Sequence, residues 1–508
     1  MIRINLSDMT YENDVYPLVK AFYPEEGIKV DSTDDYLKDN HLNFDKSVNM
    51  PYKYIIDVSI SNNNIKILLY NNRMEETSNP QLLDWVEHSM DIDSLTKAKF
   101  KNLLKRLLYN LLSKYSEQEL PWGILTGIRP TKLVYEMLEQ GSSDAEIFEI
   151  MRDEYLCSDE KIEMSLRIAK REMALLKYMD YKNGYSLYIG IPFCPTTCLY
   201  CSFTSYSIEK FSTYVESYLD ALEKEIIYGS SCFSNKKLTT VYLGGGTPTT
   251  LSAEQLDRLL GLIKNYYDFS HVKEFCVEAG RPDSITKEKL QILKKWGVDR
   301  ISINPQSMQQ KTLDLIGRKH SIEQIKEAFS LARETGHENI NMDIIIGLPG
   351  ENATDVEDTL RQIKEMNPDS LTVHTLALKR AARLNQEKED YIDLRAKDVA
   401  EMFKATLNFV REEDYQPYYL YRQKNMAENL ENIGYARAGK EGLYNILIME
   451  EQQTILALGA GALSKFVFHK ENRIERVSNV KSVTEYINRI DEMIQRKQEF
   501  LLKNGGLL

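Results

Sequence analysis

No run of apolar residues in this 508-residue sequence approaches the length of a bilayer span; the longest weakly apolar stretch, Thr454 to Leu463, is about half of one. The first residues, Met-Ile-Arg-Ile-Asn-Leu-Ser-Asp, lack the apolar core of a signal peptide. Positive charge is in deficit, with 64 Lys and Arg against 76 Asp and Glu, a net charge of −12. A general nucleic-acid binder needs the opposite balance, because its affinity comes from neutralising phosphates. Cysteine is scarce: there are six, three of them within one short stretch, which suits a reducing, cytoplasmic setting better than a disulfide framework. Cys157, Cys232 and Cys276 stand alone and read as structural thiols. There is no low-complexity tract and no repeat beyond a strand–helix period. What remains has ordinary globular composition, 43% hydrophobic and 28% charged, on a chain long enough for about two to four domains.

Four segments are expected. Residues 1–116 read as an N-terminal α+β domain, with a strand from Met1 to Leu6 and a helix from Glu12 to Phe22. A hairpin of Tyr52–Ser61 and Lys66–Tyr70 turns at Asn62-Asn63-Asn64, and Asp93–Tyr115 reads as an amphipathic helix. The basic face of that helix suits either solvent or RNA, and the acidic whole favours solvent. Residues 117–182 form a helical connector that opens on an apolar, glycine-rich loop from Leu120 to Lys132. There Arg129 and Lys132 either serve a bound anion or lie exposed beside a Trp122 wedged between domains. Helices are expected at Asp144–Tyr155 and Ser158–Lys177.

From residue 183 to 384 strands and helices alternate. Candidate strands are Ser186–Gly190, Thr239–Leu243, Glu274–Glu278, Arg300–Asn304, Ile340–Ile346 and Ser370–Thr375, with helices between them. Such an α/β pattern predicts a parallel sheet curled into an incomplete (β/α)6 barrel, whose site lies at the carboxyl ends of the strands. Residues 385–508 read as a mixed α+β C-terminal domain: a helix over Asp390–Val410, an extended Tyr418–Tyr421, a hairpin in Ile446–Leu458, a small-residue turn at Gly459-Ala-Gly461-Ala, and a terminal helix over Val483–Leu502.

The chemistry-bearing residues fall at those strand ends. After the first strand come Cys194, Cys198 and Cys201, at spacings of four and three. Three thiolates on one loop suit a [4Fe–4S] cube with one iron left open; a zinc with a distant fourth ligand and three unrelated buried thiols are the alternatives. Gly244-Gly-Gly-Thr-Pro-Thr249 follows the second strand and exposes backbone without side chains in the way. Glu278 closes the third strand and suits an amine or ribose, or else a strand-end salt bridge.

Taken together, these stretches resemble the radical S-adenosylmethionine (SAM) enzymes. More specifically they resemble the oxygen-independent coproporphyrinogen III oxidase family, in its HemZ-type branch, over roughly residues 118 to 470. The matching stretches are Tyr188-Ile-Gly-Ile-Pro-Phe-Cys194, Leu243-Gly-Gly-Gly-Thr-Pro-Thr249, Val277-Glu-Ala-Gly-Arg-Pro-Asp283, Arg300-Ile-Ser-Ile-Asn-Pro-Gln-Ser307, Ile316-Gly-Arg-Lys-His320, Asp343-Ile-Ile-Ile-Gly-Leu-Pro-Gly350 and Tyr419-Leu-Tyr-Arg-Gln-Lys-Asn-Met426. The resemblance implies a radical SAM barrel in which Cys194, Cys198 and Cys201 hold a [4Fe–4S] cluster. It places Tyr188, Gly245, Gly246, Thr247, Glu278, Gln306, Arg318, Asp343 and Ala377 around SAM.

The implied activity is reductive cleavage of SAM to a radical that takes hydrogen from a tetrapyrrole. The expected outcome is decarboxylation of two propionates of coproporphyrinogen III, giving protoporphyrinogen IX. An electron-donating flavodoxin or ferredoxin is the implied partner. The substrate's four carboxylates call for cations, and Arg129, Lys132, Arg281, Arg422 and Lys424 are the candidates. Two departures from the family's pattern leave the substrate open. Phe203 stands where the well-characterised oxidases add a cysteine, and Tyr444-Asn445 stands where the haem-chaperone branch has His-Asn. A haem-transfer protein without turnover, and an enzyme that modifies or opens a porphyrin ring, are therefore the alternatives.

Overall fold

The structure, a computed structural model, describes residues 1–33, 52–61, 64–71, 81–89, 96–127, 129–233, 235–377, 382–386, 396, 398–422 and 430–504. Its contacts divide the chain into two units, Met1–Leu166 and Arg167–Leu508.

In the first unit, β1 (Ile2–Leu6) lies between β2 (Ile28–Ser32) and β3 (Tyr54–Ser61), parallel to both. The antiparallel strands β4 (Asn64–Asn71) and β5 (Gln81–Ser89) extend the sheet. Helices Glu12–Phe22 and Lys97–Ser116 bury Val15, Leu18, Val19 and Phe100, Leu104, Leu108 against Ile2, Ile4, Ile56 and Ile67. β2 and β5 were not among the expected strands, and the turn residues Asn62 and Asn63 lie outside the described residues. Leu120 and Ile124 of the connector belong to this same core. Trp122 is buried within the unit too, its carbonyl accepting from the Cys157 thiol at 3.4 Å.

The second unit is built on β6 (Gly184–Ile191), in which every residue but Tyr188 is buried, as expected of a central parallel strand covered on both faces. Two short strands, β7 (Phe193–Cys194) and β8 (Tyr206–Ser207), bracket the cysteine loop. Five more strands follow parallel to β6 and in chain order across the sheet: β9 (Lys237–Gly245), β10 (Glu274–Glu278), β11 (Arg300–Ser302), β12 (Ile340–Ile346) and β13 (Ser370–Thr375). After β9, the main crossover helices start where the sequence offers caps. Ser252 with Gln255, Ser321 with Gln324 and Asn352 with Asp355 form reciprocal capping boxes. Each such cap contributes about 1 kcal/mol.

The strands after residue 385 do not form a sheet of their own. β14 (Gln416–Tyr421) and β15 (Asn432–Ala436) add antiparallel beyond β13, and β16 (Thr454–Leu458) adds parallel to β6, followed by β17 (Leu463–Phe468) and β18 (Arg473–Ser478). The result is an open sheet of eleven strands, in which β6 and β13 are not paired with one another. The hairpin expected within Ile446–Leu458 is instead a helix, Leu443–Glu450, leading into β16. Short apolar runs carry no periodicity that separates the two states. Here a distant group decides: the buried Glu274 carboxylate accepts from the backbone N–H of Leu443 (2.8 Å) and Tyr444 (2.9 Å), anchoring the helix start. The terminal helix is likewise two, Val483–Asn488 and Ile490–Lys503, with the break at Arg489.

A buried carboxylate ties this C-terminal segment down. Glu225, on the helix Val215–Ser230, accepts from Lys497 Nζ (2.7 Å), Asn479 Nδ2 (2.8 Å), Tyr486 OH (2.5 Å) and the Gly459 N–H (2.8 Å). Gly459 has φ +105°, and a Cβ there would meet the Gly190 carbonyl at 2.6 Å, so the small-residue turn packs directly on the end of β6.

Candidate functional site

The cysteine loop leaves the carboxyl end of β6 and is held against its neighbours by backbone hydrogen bonds. Gly246 N–H donates to the Ile191 carbonyl and Thr247 N–H to that of Phe193, both at 2.7 Å, while Leu199 N–H donates to the Ile316 carbonyl at 2.9 Å. The glycine edge therefore braces the cysteines, with two of its N–H groups already used. A Cβ on Gly246 would lie 2.6 Å from the Phe193 carbonyl and 3.0 Å from Cys194 Sγ, so only glycine allows this approach. Thr247 Oγ1 lies 3.5 Å from Cys194 Sγ, a hydrogen bond that favours the thiolate. Burial outweighs it and pushes the thiol up to about 11.

Cys198 is buried, and its sulfur accepts from Arg281 Nη1 at 3.8 Å; Cys201 N–H closes a turn onto the Cys198 carbonyl at 3.2 Å. Among the described residues no three His, Cys, Asp or Glu side chains are arranged to hold a single metal ion. A cubic cluster makes a different demand, since each thiolate takes its own corner iron. Three soft sulfur donors on one loop suit a group that brings positive iron to them.

The inward faces of the strands carry the other expected residues. Tyr188 and Tyr242 are opposite one another in register, with rings stacked 6.2 Å apart, and Tyr444 stacks on Tyr242 at 4.4 Å and on Tyr188 at 6.2 Å. Tyr242 OH donates to Glu278 Oε1 at 2.5 Å. Burial, reinforced by the Asp343 charge against that hydrogen bond, lifts the Glu278 carboxyl to about 7. Asp343 is held lower than an ordinary carboxyl despite its burial, by His374 and by Asn341, whose Nδ2 donates to it at 2.6 Å. His374 Nε2 lies 3.6 Å from Asp343 Oδ2.

Gln306 has φ +68°, and its backbone bridges to Ile344 just past β11, which ends two residues short of the expected Asn304. Its Oε1 is buried with no hydrogen-bond partner, as is Asn304 Oδ1, so two acceptors stand ready for a ligand. Arg318 lies in the turn after Gln310–Leu315 and donates to Gly280 O (2.8 Å), Asn304 O (2.6 Å) and Tyr200 OH (3.1 Å). Ala377 lies two residues beyond the end of β13 and is half-buried.

The candidate substrate cations fare differently. Arg281 and Arg422 are 4% and 3% exposed, and Arg281 is committed to Asp283. Lys132 pairs with Glu136 at 3.4 Å, Arg129 is half-buried within the first unit, and Lys424 lies outside the described residues. Sequence reasoning missed Tyr242, Asn304, Asp283 and His374, although the inward alternation on β9 would have singled out Tyr242, in register with Tyr188. Tyr444 was noted only as a departure; nothing local to the sequence places it in this stack.

A sheet of this order with a three-cysteine loop at its carboxyl edge is the radical SAM fold, and the radical SAM superfamily profile matches residues 188–363. The solved structure of coproporphyrinogen III oxidase (HemN) from Escherichia coli shares the fold, with a TM-score of 0.50 and 24% identity, covering 63% of this chain and 73% of that one. The family works with a [4Fe–4S] cluster and S-adenosylmethionine. The chain is 42% identical over 405 residues to the oxygen-independent coproporphyrinogen-III oxidase-like protein HemZ of Bacillus subtilis, covering 79% of this chain and 81% of that protein. It is 34% identical over 312 residues to the heme chaperone HemW of the same organism, covering 60% and 76%. The chain thus belongs to the oxygen-independent coproporphyrinogen III oxidase-like family of radical SAM proteins. None of the described helices is long and apolar enough to cross a membrane.

Proposed function

We propose that this chain is a radical SAM enzyme acting on a tetrapyrrole, with coproporphyrinogen III as substrate and its oxidative decarboxylation to protoporphyrinogen IX as the reaction. In this reading Cys194, Cys198 and Cys201 hold the cluster. The observation that carries it is the bracing of the cysteine loop onto the glycine edge, beside a strand-rimmed face lined by Glu278, Gln306 and Asp343. When bound, the cluster and SAM supply one-electron chemistry that ends in abstraction of a hydrogen atom.

The chain's own residues have three tasks. The unpartnered oxygens of Gln306 and Asn304, with Glu278, accept hydrogen bonds from the amine and hydroxyl groups of SAM. With its carboxyl near 7, Glu278 changes charge within the neutral range and so tunes that affinity with pH. The stack of Tyr188, Tyr242 and Tyr444 presents an aromatic surface that keeps water from the reacting carbon. A flavodoxin or ferredoxin provides the electron.

A second reading, haem transfer without turnover, is supported by the 34% identity to a heme chaperone. Against it stands Tyr444, in the place of a histidine, with its ring only 4% exposed and packed in the stack, where it offers no haem ligand. The deciding experiment is anaerobic reconstitution with iron and sulfide, followed by incubation with coproporphyrinogen and haem in parallel. Protoporphyrinogen with released CO2 and 5′-deoxyadenosine supports the oxidase; stoichiometric haem binding with no deoxyadenosine supports transfer. SAM cleavage that leaves coproporphyrinogen unchanged ends the substrate assignment.

A further inference from the structure

We propose that Arg281 is a positioning and redox-tuning residue, whose guanidinium, clamped by Asp283, donates an N–H···S hydrogen bond to the Cys198 sulfur and raises the reduction potential of the cluster held there. The inference rests on the reading that the three cysteines hold a [4Fe–4S] cluster.

The geometry is a fork with a free tine. Asp283 accepts from Arg281 Nε at 3.0 Å and Nη2 at 2.8 Å, a bidentate pair that fixes the plane of the guanidinium. Nη1 is left to point at the cysteine loop. It donates to the Thr196 carbonyl (3.2 Å), to Thr196 Oγ1 (3.0 Å) and to Cys198 Sγ (3.8 Å). Thr196 Oγ1 in turn donates to the Gly317 carbonyl at 2.9 Å, so the loop, the fork and the turn carrying Arg318 form one connected set. Beside Asp283, the His320 ring is wholly buried, with its Nδ1 at 3.7 Å from Asp283 Oδ1. Arg281 is 4% exposed, so its charge acts with little solvent screening. It therefore cannot serve as a surface cation for a substrate carboxylate.

Reducing the cluster by one electron adds negative charge to its sulfurs. A donor aimed at one thiolate stabilises the reduced form more than the oxidised one and raises the potential. A one-electron donor of the flavin or iron–sulfur class then transfers its electron more readily to this cluster than to one lacking the contact.

The test uses full-length holoprotein, reconstituted anaerobically, with iron and sulfide counted for each variant. Arg281→Lys keeps the charge and removes the planar fork; Arg281→Met removes both. At full iron content, redox titration followed by EPR should show both variants harder to reduce. Arg281→Met should shift the ratio of reduced to oxidised cluster about tenfold at fixed potential, equivalent to about 59 mV for one electron. Arg281→Lys should shift it less. Unchanged midpoints in fully loaded variants overturn the proposal. Should the variants fail to load, pulsed EPR on reduced wild-type protein labelled with guanidino-15N arginine decides: a nitrogen coupled to the cluster spin supports the contact, and its absence overturns it. If wild-type protein assembles no [4Fe–4S] cluster, it is the underlying reading of the cysteines that has failed.

Discussion

Replacing Glu225 by Gln should loosen the whole C-terminal helical segment, because among the described residues this carboxylate is the one anion paired with the buried Lys497 ammonium. Both Glu225 and Lys497 have fully buried side chains, and apart from Glu225, Asn479 Oδ1 at 2.6 Å is the other acceptor of Lys497. The amide keeps the shape but removes the charge, and its NH2 group faces donors. Breaking a buried pair from one side costs about 3–5 kcal/mol, since the remaining charge is left in low dielectric. Replacing both partners, Glu225→Gln with Lys497→Met, removes the stranded ammonium and should recover about 2 kcal/mol of that loss. The reading is local: hydrogen exchange of the amides in Val483–Asn488 and Ile490–Lys503 should quicken about a hundredfold or more in the single variant and much less in the double. Because Glu225 also holds Gly459, and Tyr218 OH bridges Ala460 N–H (3.1 Å) to the Gly190 carbonyl (2.5 Å), the single variant should also retain iron less well. Equal exchange in wild type and Glu225→Gln, or a double variant as loose as the single, would refute the argument.

Ala at Cys194, Cys198 or Cys201 should abolish iron and sulfide retention while leaving far-ultraviolet circular dichroism unchanged. Gly246→Ala should fold yet bind less than half the wild-type iron, because its methyl group would displace the Phe193 carbonyl and the Cys194 sulfur it would meet at 2.6 and 3.0 Å; wild-type iron content would contradict the close approach. Burial lifts Glu278 from 4.5 to about 7, and Glu351 and Asp299 are also lifted to about 7. Between those limits these three carboxyls bind more protons in the native state than in the unfolded one, so their contribution to the stability of the iron-free chain falls as pH rises from about 4.5 to 7. Glu278 should account for about 3 kcal/mol of that fall, and Glu278→Gln should flatten the slope of denaturant stability against pH; an unchanged slope would show that Glu278 titrates normally.

The sheet and its loops were readable from the sequence to different depths. β10, β12 and β13 span the expected residues, because each is a short stretch rich in apolar and β-branched residues, which fit a pleated, buried surface. The crossover helices were bounded by Ser, Thr and Asn caps acting over three residues, a range that local reading covers. The expectation failed where a distant partner decides the state. The helix Leu443–Glu450 was read as half of a hairpin, since the Glu274 carboxylate that anchors it is 169 residues away in the chain. Arg281 was read as a substrate cation, since nothing in Ala-Gly-Arg-Pro-Asp reveals that Asp283 turns the guanidinium back toward Cys198.

What the sequence determined by itself was the chemistry on offer: three thiols at fixed spacing, a glycine edge, and carboxylates and amides at successive strand ends. Spacing and strand periodicity are local, so the order of residues already contains them. The tertiary structure alone decided which of those groups meet: Tyr444 in a stack with Tyr188 and Tyr242, Glu225 with Lys497, and Arg281 with the sulfur of Cys198. Such meetings depend on how segments far apart in the chain share one buried space, where burial and a neighbouring charge, rather than residue type, set each group's protonation and partner.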